Sequence, residues 1–264
     1  MKGAAAMRVV VLGSAPDARW PQSDVLVAAK RSLLYYPEAM SDTSRVETLG
    51  YPEDQRSVLE GDGVRRNMTP GRLGSVTVGI RVPEESGPII EEFRALLGAC
   101  GSPMTEVLTM DRTDRREAWE RASGLREPIL EGIGSYGAGG VLYAMRRATH
   151  GTYKRLRAQL LGGAPRLIRR HGIFRPSTGV VALCRAMQRF GPSAEYVLAG
   201  VSLTWPRRYP DPGRDAFRGG EDFAPVPVHI NADRQVLRRL AMQWNLATTS
   251  SELADALRVP CYPV

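Results

Sequence analysis

Acidic residues are missing from a long central stretch of this chain. No Asp or Glu occurs between Glu131 and Glu195, whereas the same stretch carries eleven Lys and Arg residues. The net charge of the whole chain is +8, so the rest of the sequence sums to −3 and the basic character is regional. Such a block suits an anionic substrate, a membrane or polyanion surface, a nucleic acid, or a solvated helix face. Aromatic residues are sparse in it and no nucleic-acid-binding module is present, so nucleic acid is the least favoured partner.

Cysteine is also scarce, and its spacing excludes two common kinds of site. Cys100, Cys184 and Cys261 are the only cysteines, and they lack the spacing of a metal site or of a disulfide framework. A reducing cytoplasm is the predicted compartment. No apolar run reaches the length of a transmembrane helix. Arg8 interrupts the small-residue N-terminus, and a core strand beginning at Val9 explains this segment better than a signal peptide does.

The sequence contains one dinucleotide-binding pattern, but its surroundings do not suit a dinucleotide site. Gly132–Gly137 matches the G-x-G-x-x-G pattern, but no strand leads into it and no acidic residue follows about twenty positions later. A flexible loop or close helix packing is the preferred interpretation.

The pattern of the chain predicts an α/β fold. Hydrophobic residues make up 43% of the 264 residues, enough for one domain spanning 1–264. Short β-branched runs alternate with helical periodicity, which predicts a mostly parallel, Rossmann-like sheet with helices on both faces. In such sheets ligands bind beyond the carboxyl ends of the strands, so the turns after Leu12 and Ala199 are expected to border one cleft. The predicted strands are 8–13, 25–29, 75–82, 106–110, 196–200 and 246–249.

The turn Arg175–Gly179 is the most informative motif. Val180, Leu183, Cys184 and Met187 follow it on one helical face, so Ser177 or Thr178 is predicted to cap a helix. The first N–H groups of that helix would point at an anion, and Gly179 would let the anion approach. A short buried strand ending at Gly200 comes next. This arrangement resembles the small sialyl motif of sialyltransferases.

Two further segments resemble the same family at the expected ends of the chain. Val9–Pro16 followed by Ser23–Ala29 looks like the large sialyl motif, in which a strand delivers a small-residue turn to a nucleotide. Val226–His229, before a predicted amphipathic helix, resembles the very small motif. Together the three matches cover both ends and most of the last third of the chain. The resemblance implies a sialyltransferase-type (modified GT-A) fold with a small lid, to which the basic segment 141–174 is assigned.

The resemblance also implies site residues. His229 takes the place of the catalytic base, with Asn231 predicted as the N-cap of the following helix and Asp233 in its first turn. The family has an acid five residues after this His, where this chain has Arg234. Tyr209 is assigned to the leaving phosphate, with Arg207 or Arg208 as alternatives that could pair with a phosphate or carboxylate. The residues assigned to binding the nucleotide donor are Gly13, Ser14, Ala15, Lys30, Arg175, Ser177, Thr178 and Gly179, of which Lys30 replaces the usual Asn.

The expected activity is metal-independent, inverting transfer of a nonulosonic-acid-type sugar from a CMP-linked donor to an acceptor hydroxyl. No Asp-x-Asp pair is present to hold a divalent metal on a nucleotide diphosphate, and no cofactor is expected besides the CMP-sugar co-substrate. The acceptor is a glycan or a small molecule, and an anionic membrane surface is an alternative partner for the basic block. The alternatives are a nucleotide- or polyanion-binding protein of the same fold without transferase activity, and a CMP-sugar hydrolase.

Overall fold

Seven parallel strands form one sheet at the centre of the molecule. The computed structural model describes residues 6–15, 18–67, 71–125, 176–203 and 228–264, with side chains from residue 232 onward in the last range. This is a Rossmann-like α/β architecture, as the sequence pattern predicts. The strands are β1 (Arg8–Leu12), β2 (Ser23–Ala29), β3 (Thr43–Gly50), β4 (Leu73–Gly79), β5 (Glu106–Met110), β6 (Glu195–Ala199) and β7 (Leu246–Thr248).

The central strand shows why the sheet is covered on both faces. Val9 and Val11 of β1 pack into one hydrophobic core, and Val10 and Leu12 pack into the other. All four side chains are fully buried. Successive side chains of a strand point to opposite faces, so a continuous apolar run requires a layer of helices on each side.

Eight α-helices of the described ranges supply those two layers. Helices α1 to α4 contribute to the core that contains Val10, and α5 to α8 contribute to the core that contains Val9. Two short 3₁₀ turns, Pro37–Met40 and Pro83–Glu85, complete the elements. The helices are α1 (Ser32–Tyr35), α2 (Pro52–Glu60), α3 (Asp62–Asn67), α4 (Ser86–Ala99), α5 (Arg112–Ser123), α6 (Thr178–Phe190), α7 (Val228–Gln243) and α8 (Ser251–Leu257).

The order of the strands places a topological switch point at the middle of the sheet. The order is β5-β4-β3-β2-β1-β6-β7, so the chain builds outward from β1 to β5 and then returns to pair β6 with the other side of β1. Val9 lies opposite Val25 in β2 and opposite Tyr196 in β6. The connections from β1 and β6 therefore leave in opposite directions, which opens a crevice at the carboxyl ends of these two strands.

One strand of the sheet is not predicted by the sequence pattern. β3 carries Arg45 and Glu47 in its interior, which hides the period-two alternation of a strand. Glu47 is only 6% exposed, and its carboxylate pairs with Arg45 at 2.9 Å and with Arg189 at 3.2 Å. A buried charge is tolerated when it is paired in this way. The interior of β3 therefore contains a buried ion-pair cluster, which the sequence pattern does not predict.

The other predicted elements are confirmed with small shifts at their ends. The strand predicted over 75–82 runs from Leu73 to Gly79, and the strand predicted over 8–13 ends at Leu12. Cys184 is buried, Cys100 is half-buried, Cys261 is exposed, and all three are free thiols. Within the described ranges, no helix combines the length and the apolar character needed to cross a membrane.

Candidate functional site

Two glycine turns meet at the switch point. Gly13 follows β1, and its N–H donates to the Ala199 carbonyl oxygen at 2.8 Å. Ala15 N–H donates to the Gly200 carbonyl oxygen at 3.0 Å. A Cβ on Gly13 would lie 2.3 Å from the Gly200 oxygen, and Gly200 itself has a left-handed φ of +64°. Only glycine fits at either position, because a side chain would push the two backbones apart. The floor of the cleft is thus made of closely packed main chain.

The N-terminus of α6 lies beside this floor. Ser177 is the N-cap, as predicted, and its Oγ accepts the Val180 N–H at 3.4 Å. A Cβ on Gly179 would lie 3.6 Å from Val201, the residue after Gly200. Helix α6 is buried from Val180 to Met187 apart from Arg185, so packing on both sides fixes where its first turn lies. The structure therefore brings together the two turns that the sequence assigns to donor binding.

A buried carboxylate accepts a hydrogen bond from the capping turn of α6. Asp233 of α7 is 4% exposed, and its Oδ1 accepts the Ser177 N–H at 2.7 Å. Burial raises the pKa of Asp233 to about 7, although the N–H and hydroxyl of Ser177 and the charge of Lys30 favour the ionised form. Burial also raises the pKa of the Cys184 thiol, and the negative charge of Asp233 acts in the same direction. Asp233 is thus part of the capping turn, a role that the sequence does not predict.

The prediction for the start of α7 is wrong. Asn231 is not the N-cap, because the helix already begins at Val228. His229 is the second residue of α7, and Asp233 follows it one helical turn later. Residues four apart on a helix lie on the same side of it, so positions 229 and 233 share one side of α7. The side chain of His229 lies outside the described residues.

Lys30 occupies an unusual backbone conformation at the carboxyl end of β2. Its φ is +55°, in the left-handed region that a non-glycine residue seldom adopts. The Lys30 N–H donates to the Leu49 carbonyl oxygen at 2.7 Å, which ties this residue to the end of β3. Strained positions of this kind concentrate at binding sites. The neighbouring Arg31 pairs with Asp54 at 2.8 Å, whereas the charge of Lys30 acts on Asp233 and favours its ionised form.

A second cation, Arg115, enters the site from α5. Its Nη2 donates to Thr178 Oγ1 at 3.2 Å, and its guanidinium carbon lies 5.1 Å from the centre of the Tyr51 ring. A Cβ on Gly79 would lie 3.5 Å from the Arg115 Nη1, an ordinary contact distance, so the guanidinium packs beside the last residue of β4. No sequence motif assigns Arg115 to the site. The missed signal is the capping box of Asp111 and Asp114, which starts α5 directly after β5 and brings its first turn to the edge of the sheet that contains the site.

An open cavity of about 790 Å³ lies on the opposite side of the glycine floor from Arg115. It lies between the turn after β1, the turns after β6 and β7, and the C-terminal segment 261–264. Its polar lining consists of Arg19, Thr249, Ser250, Ser251, Glu252 and Tyr262. The cleft thus has a hydroxyl-rich half beside β6 and β7 and a cationic half beside β2, β3 and β4.

The structure describes some of the predicted site residues and not others. Tyr209, Arg175 and the proposed lid 141–174 lie outside the described residues. Of the residues assigned to donor binding, Gly13, Ser14 and Ala15 lie on the floor, and Ser177, Thr178 and Gly179 lie at the α6 terminus. Lys30 lies at the carboxyl end of β2, where its charge acts on Asp233. Among the side chains that the structure describes, no group of three or more His, Cys, Asp or Glu residues comes together to hold a metal ion.

Comparison of the chain with protein-family models, with curated proteins and with solved structures finds no match in any of the three.

Proposed function

We propose that this protein is a metal-independent, inverting glycosyltransferase that transfers a nonulosonic-acid-type sugar from a CMP-linked donor to an acceptor hydroxyl. The observation that carries the proposal is the meeting, at the switch point, of the Gly13 and Gly200 turns with the Ser177 cap of α6. Lys30 and Arg115 stand next to that meeting point. Backbone N–H groups, a helix N-terminus and two cations suit a ligand that carries more than one negative charge.

The two halves of the cleft suit the two parts of such a donor. The hydroxyl-rich cavity beside Gly200 has the size and polarity for a nucleoside. The phosphate then lies at the first turn of α6, where the helix dipole favours negative charge. A nucleoside monophosphate donor has less charge to neutralise than a diphosphate donor, so side chains and backbone N–H groups are sufficient without a divalent metal.

The chemical step assigned to this site is a single displacement. The acceptor oxygen attacks the anomeric carbon, its proton passes to the imidazole of His229, and the bond between the anomeric carbon and the phosphate oxygen breaks to release CMP. Attack from the face opposite the leaving group inverts the anomeric centre. The N-terminus of α7 favours the neutral imidazole that a base requires, because the positive end of a helix disfavours a second positive charge. Tyr209 is assigned to donate a hydrogen bond to the departing phosphate.

The choice of nucleotide provides the first test. CMP should raise the melting temperature in the presence of EDTA, and UMP, AMP, GMP and NAD should do so less. At a CMP concentration near a hundred times the dissociation constant, the stabilisation should be about 2.7 kcal/mol. Ser177→Ala should reduce the CMP-induced shift, whereas Val180→Ala, three residues along the same helix, should lower the melting temperature and keep the shift. Preferential stabilisation by AMP or NAD would overturn the nucleotide assignment.

Release of CMP then separates the transferase from its alternatives. Incubation with CMP-N-acetylneuraminic acid and candidate acceptors should release CMP and form a new glycoside, with release accelerated by the acceptor. Release at the same rate with and without every acceptor would identify a hydrolase. Binding of CMP with no release would identify a nucleotide-binding protein of the same fold. Glycans and small hydroxylated molecules are the acceptors to screen, and anionic vesicles test the basic block as a membrane contact.

A further inference from the structure

We infer that Tyr36 is a positioning residue, whose hydroxyl holds one wall of the nucleoside cavity in the shape that binds the ligand. The inference rests on the proposed function, which places the nucleoside of the donor in that cavity, and it names a residue on which affinity for the nucleoside depends. Tyr36 directly follows α1, in a segment that no sequence motif assigns to the site.

The wall that Tyr36 contacts is formed by the segment after β1. Ala15, Ala18 and Arg19 of this segment line the cavity. Ala18 also packs on the glycine floor, because a Cβ on Gly200 would lie only 2.9 Å from the Ala18 Cβ. A shift of Ala18 would therefore change the shape of the cavity at its wall and at its floor.

One hydroxyl group ties two points of this wall together. The Tyr36 hydroxyl donates to the Ala15 carbonyl oxygen at 2.6 Å and accepts the Ala18 N–H at 3.3 Å. Ala15 is held from the other side as well, because its N–H donates to the Gly200 carbonyl oxygen at 3.0 Å. Both main-chain atoms that the hydroxyl contacts thus belong to residues that line the cavity.

Tyr36 can support the wall because its own position is fixed. Its N–H donates to the Ser32 carbonyl oxygen at 2.9 Å, and its carbonyl oxygen accepts the Ala39 N–H at 3.2 Å. Its ring contacts Trp20 with the ring centroids 5.4 Å apart, and both rings pack against the core that contains Val10. A wall that is ordered before the ligand arrives loses less conformational freedom on binding, which increases affinity.

Loss of the hydroxyl should weaken the nucleoside part of binding and leave the phosphate part unchanged. The phosphate is assigned to the first turn of α6, and neither atom that the hydroxyl contacts belongs to that turn. Cytidine and CMP differ only in the phosphate, so the ratio of their dissociation constants measures the contribution of the phosphate. Tyr36→Phe should therefore raise both constants by the same factor and leave their ratio as in wild type.

Isothermal titration calorimetry with cytidine and with CMP, without added metal, tests this expectation. Tyr36→Phe keeps the ring and removes only the hydroxyl. Both dissociation constants should rise about 5- to 30-fold, the range expected for the loss of one or two hydrogen bonds. In the ligand-free protein, amide hydrogen exchange at Ala18 should be faster in the variant than in wild type. An unchanged exchange rate would show that the hydroxyl does not hold the wall.

Tyr196→Phe is the matched control. The Tyr196 hydroxyl donates to the Gly191 carbonyl oxygen at 2.6 Å, the same kind of bond at the same distance, but near the opposite end of β6 from Gly200. Its loss should lower the melting temperature and change neither affinity. An equal loss of affinity in Tyr196→Phe would show a general effect of stability, and the inference would be wrong.

The remaining outcomes separate the role of Tyr36 from the proposed function. If Tyr36→Phe lowers the melting temperature and changes neither affinity, the hydroxyl only stabilises the fold. If it weakens CMP and leaves cytidine unchanged, it acts on the phosphate and not on the nucleoside wall. Either result overturns the role of Tyr36 alone, whereas failure of wild type to bind both cytidine and CMP would overturn the proposed function itself.

Discussion

The buried carboxylate of Asp233 should make the stability of the protein depend on pH in a way that one substitution removes. Asp233 is 4% exposed, and burial raises its pKa from 3.8 to about 7. Among the described side chains, the groups that interact with it are Ser177, Lys30 and Cys184. Asp233→Asn keeps an oxygen that can accept the Ser177 N–H and removes the titration. The two proteins should therefore differ mainly in how their stability responds to pH.

The sign of the effect follows from which state binds the proton more tightly. Between pH 3.8 and about 7 the folded protein holds a proton on Asp233 that the unfolded chain has lost. The contribution of this group to stability is therefore complete below pH 3.8, falls as pH rises, and is lost above about pH 7. A shift of one pKa unit corresponds to 1.36 kcal/mol, so the contribution lost is on the order of 4 kcal/mol.

Urea denaturation of both proteins at intervals from pH 4 to pH 8.5 measures this contribution. The free energy of unfolding of wild type minus that of Asp233→Asn should decrease by up to about 4 kcal/mol over that range and level off above pH 7.5. Titrating groups that do not interact with Asp233 are common to both proteins and cancel in the difference. A difference that stays constant from pH 4 to pH 8.5 would show that Asp233 is not a buried acid with a raised pKa. A difference that increases with pH would show that the hydrogen bonds from Ser177 outweigh burial.

Two further predictions concern catalysis and the floor of the cleft. His229→Ala should bind CMP nearly as wild type does and lose transfer by roughly two to four orders of magnitude, because a base acts on the acceptor proton and not on the nucleotide. Single-turnover transfer and CMP titration check this, and transfer at the wild-type rate would remove His229 from the mechanism. Gly13→Ala should lower stability by about 1–3 kcal/mol or more and abolish CMP binding, since the new Cβ would lie 2.3 Å from the Gly200 oxygen. Gly98→Ala is its control: Gly98 lies in the last turn of α4, where a Cβ meets no atom within 4 Å, so CMP binding should be unchanged and stability should stay the same or rise by up to about 1 kcal/mol.

Local patterns were sufficient to predict most strands and the key helix cap. β1 and β6 are short apolar runs that end in glycine, and Ser177 stands directly before an apolar helical face. In each case the residues that decide the structure are neighbours in sequence. β3 was not predicted because its buried Glu47 depends on Arg189, which is more than a hundred residues away. A buried charge cannot be distinguished from a loop residue until its partner is known.

The cationic half of the site depends on contacts that sequence patterns do not encode. Arg115 reaches Thr178 only because α5 packs beside α6, and Asp233 reaches Ser177 only because α7 lies across the start of α6. These pairs are separated by 63 and 56 residues. Lys30 was assigned to the site from its place in a motif, but its left-handed backbone was not foreseen, because β2 has no glycine or asparagine there to indicate it. The motifs predict a site at the switch point, and the packing of the helices determines which charged side chains lie there.

The titration of Asp233 and that of His229 should both affect the pH dependence of transfer. An anion bound beside Asp233 would raise the pKa of that carboxyl further, so protonation of Asp233 and ligand binding should favour each other. Affinity for the donor should therefore weaken as pH rises through about 7. An unperturbed imidazole has a pKa near 6.5 and loses its function as a base below that pH. Because Asp233 follows His229 by one turn on α7, the same helix carries both groups, and their opposite pH responses should confine efficient transfer to a narrow range near neutral pH. Asp233→Asn should broaden that range on its alkaline side and leave the acidic side unchanged, which would assign each limb of the pH profile to one residue.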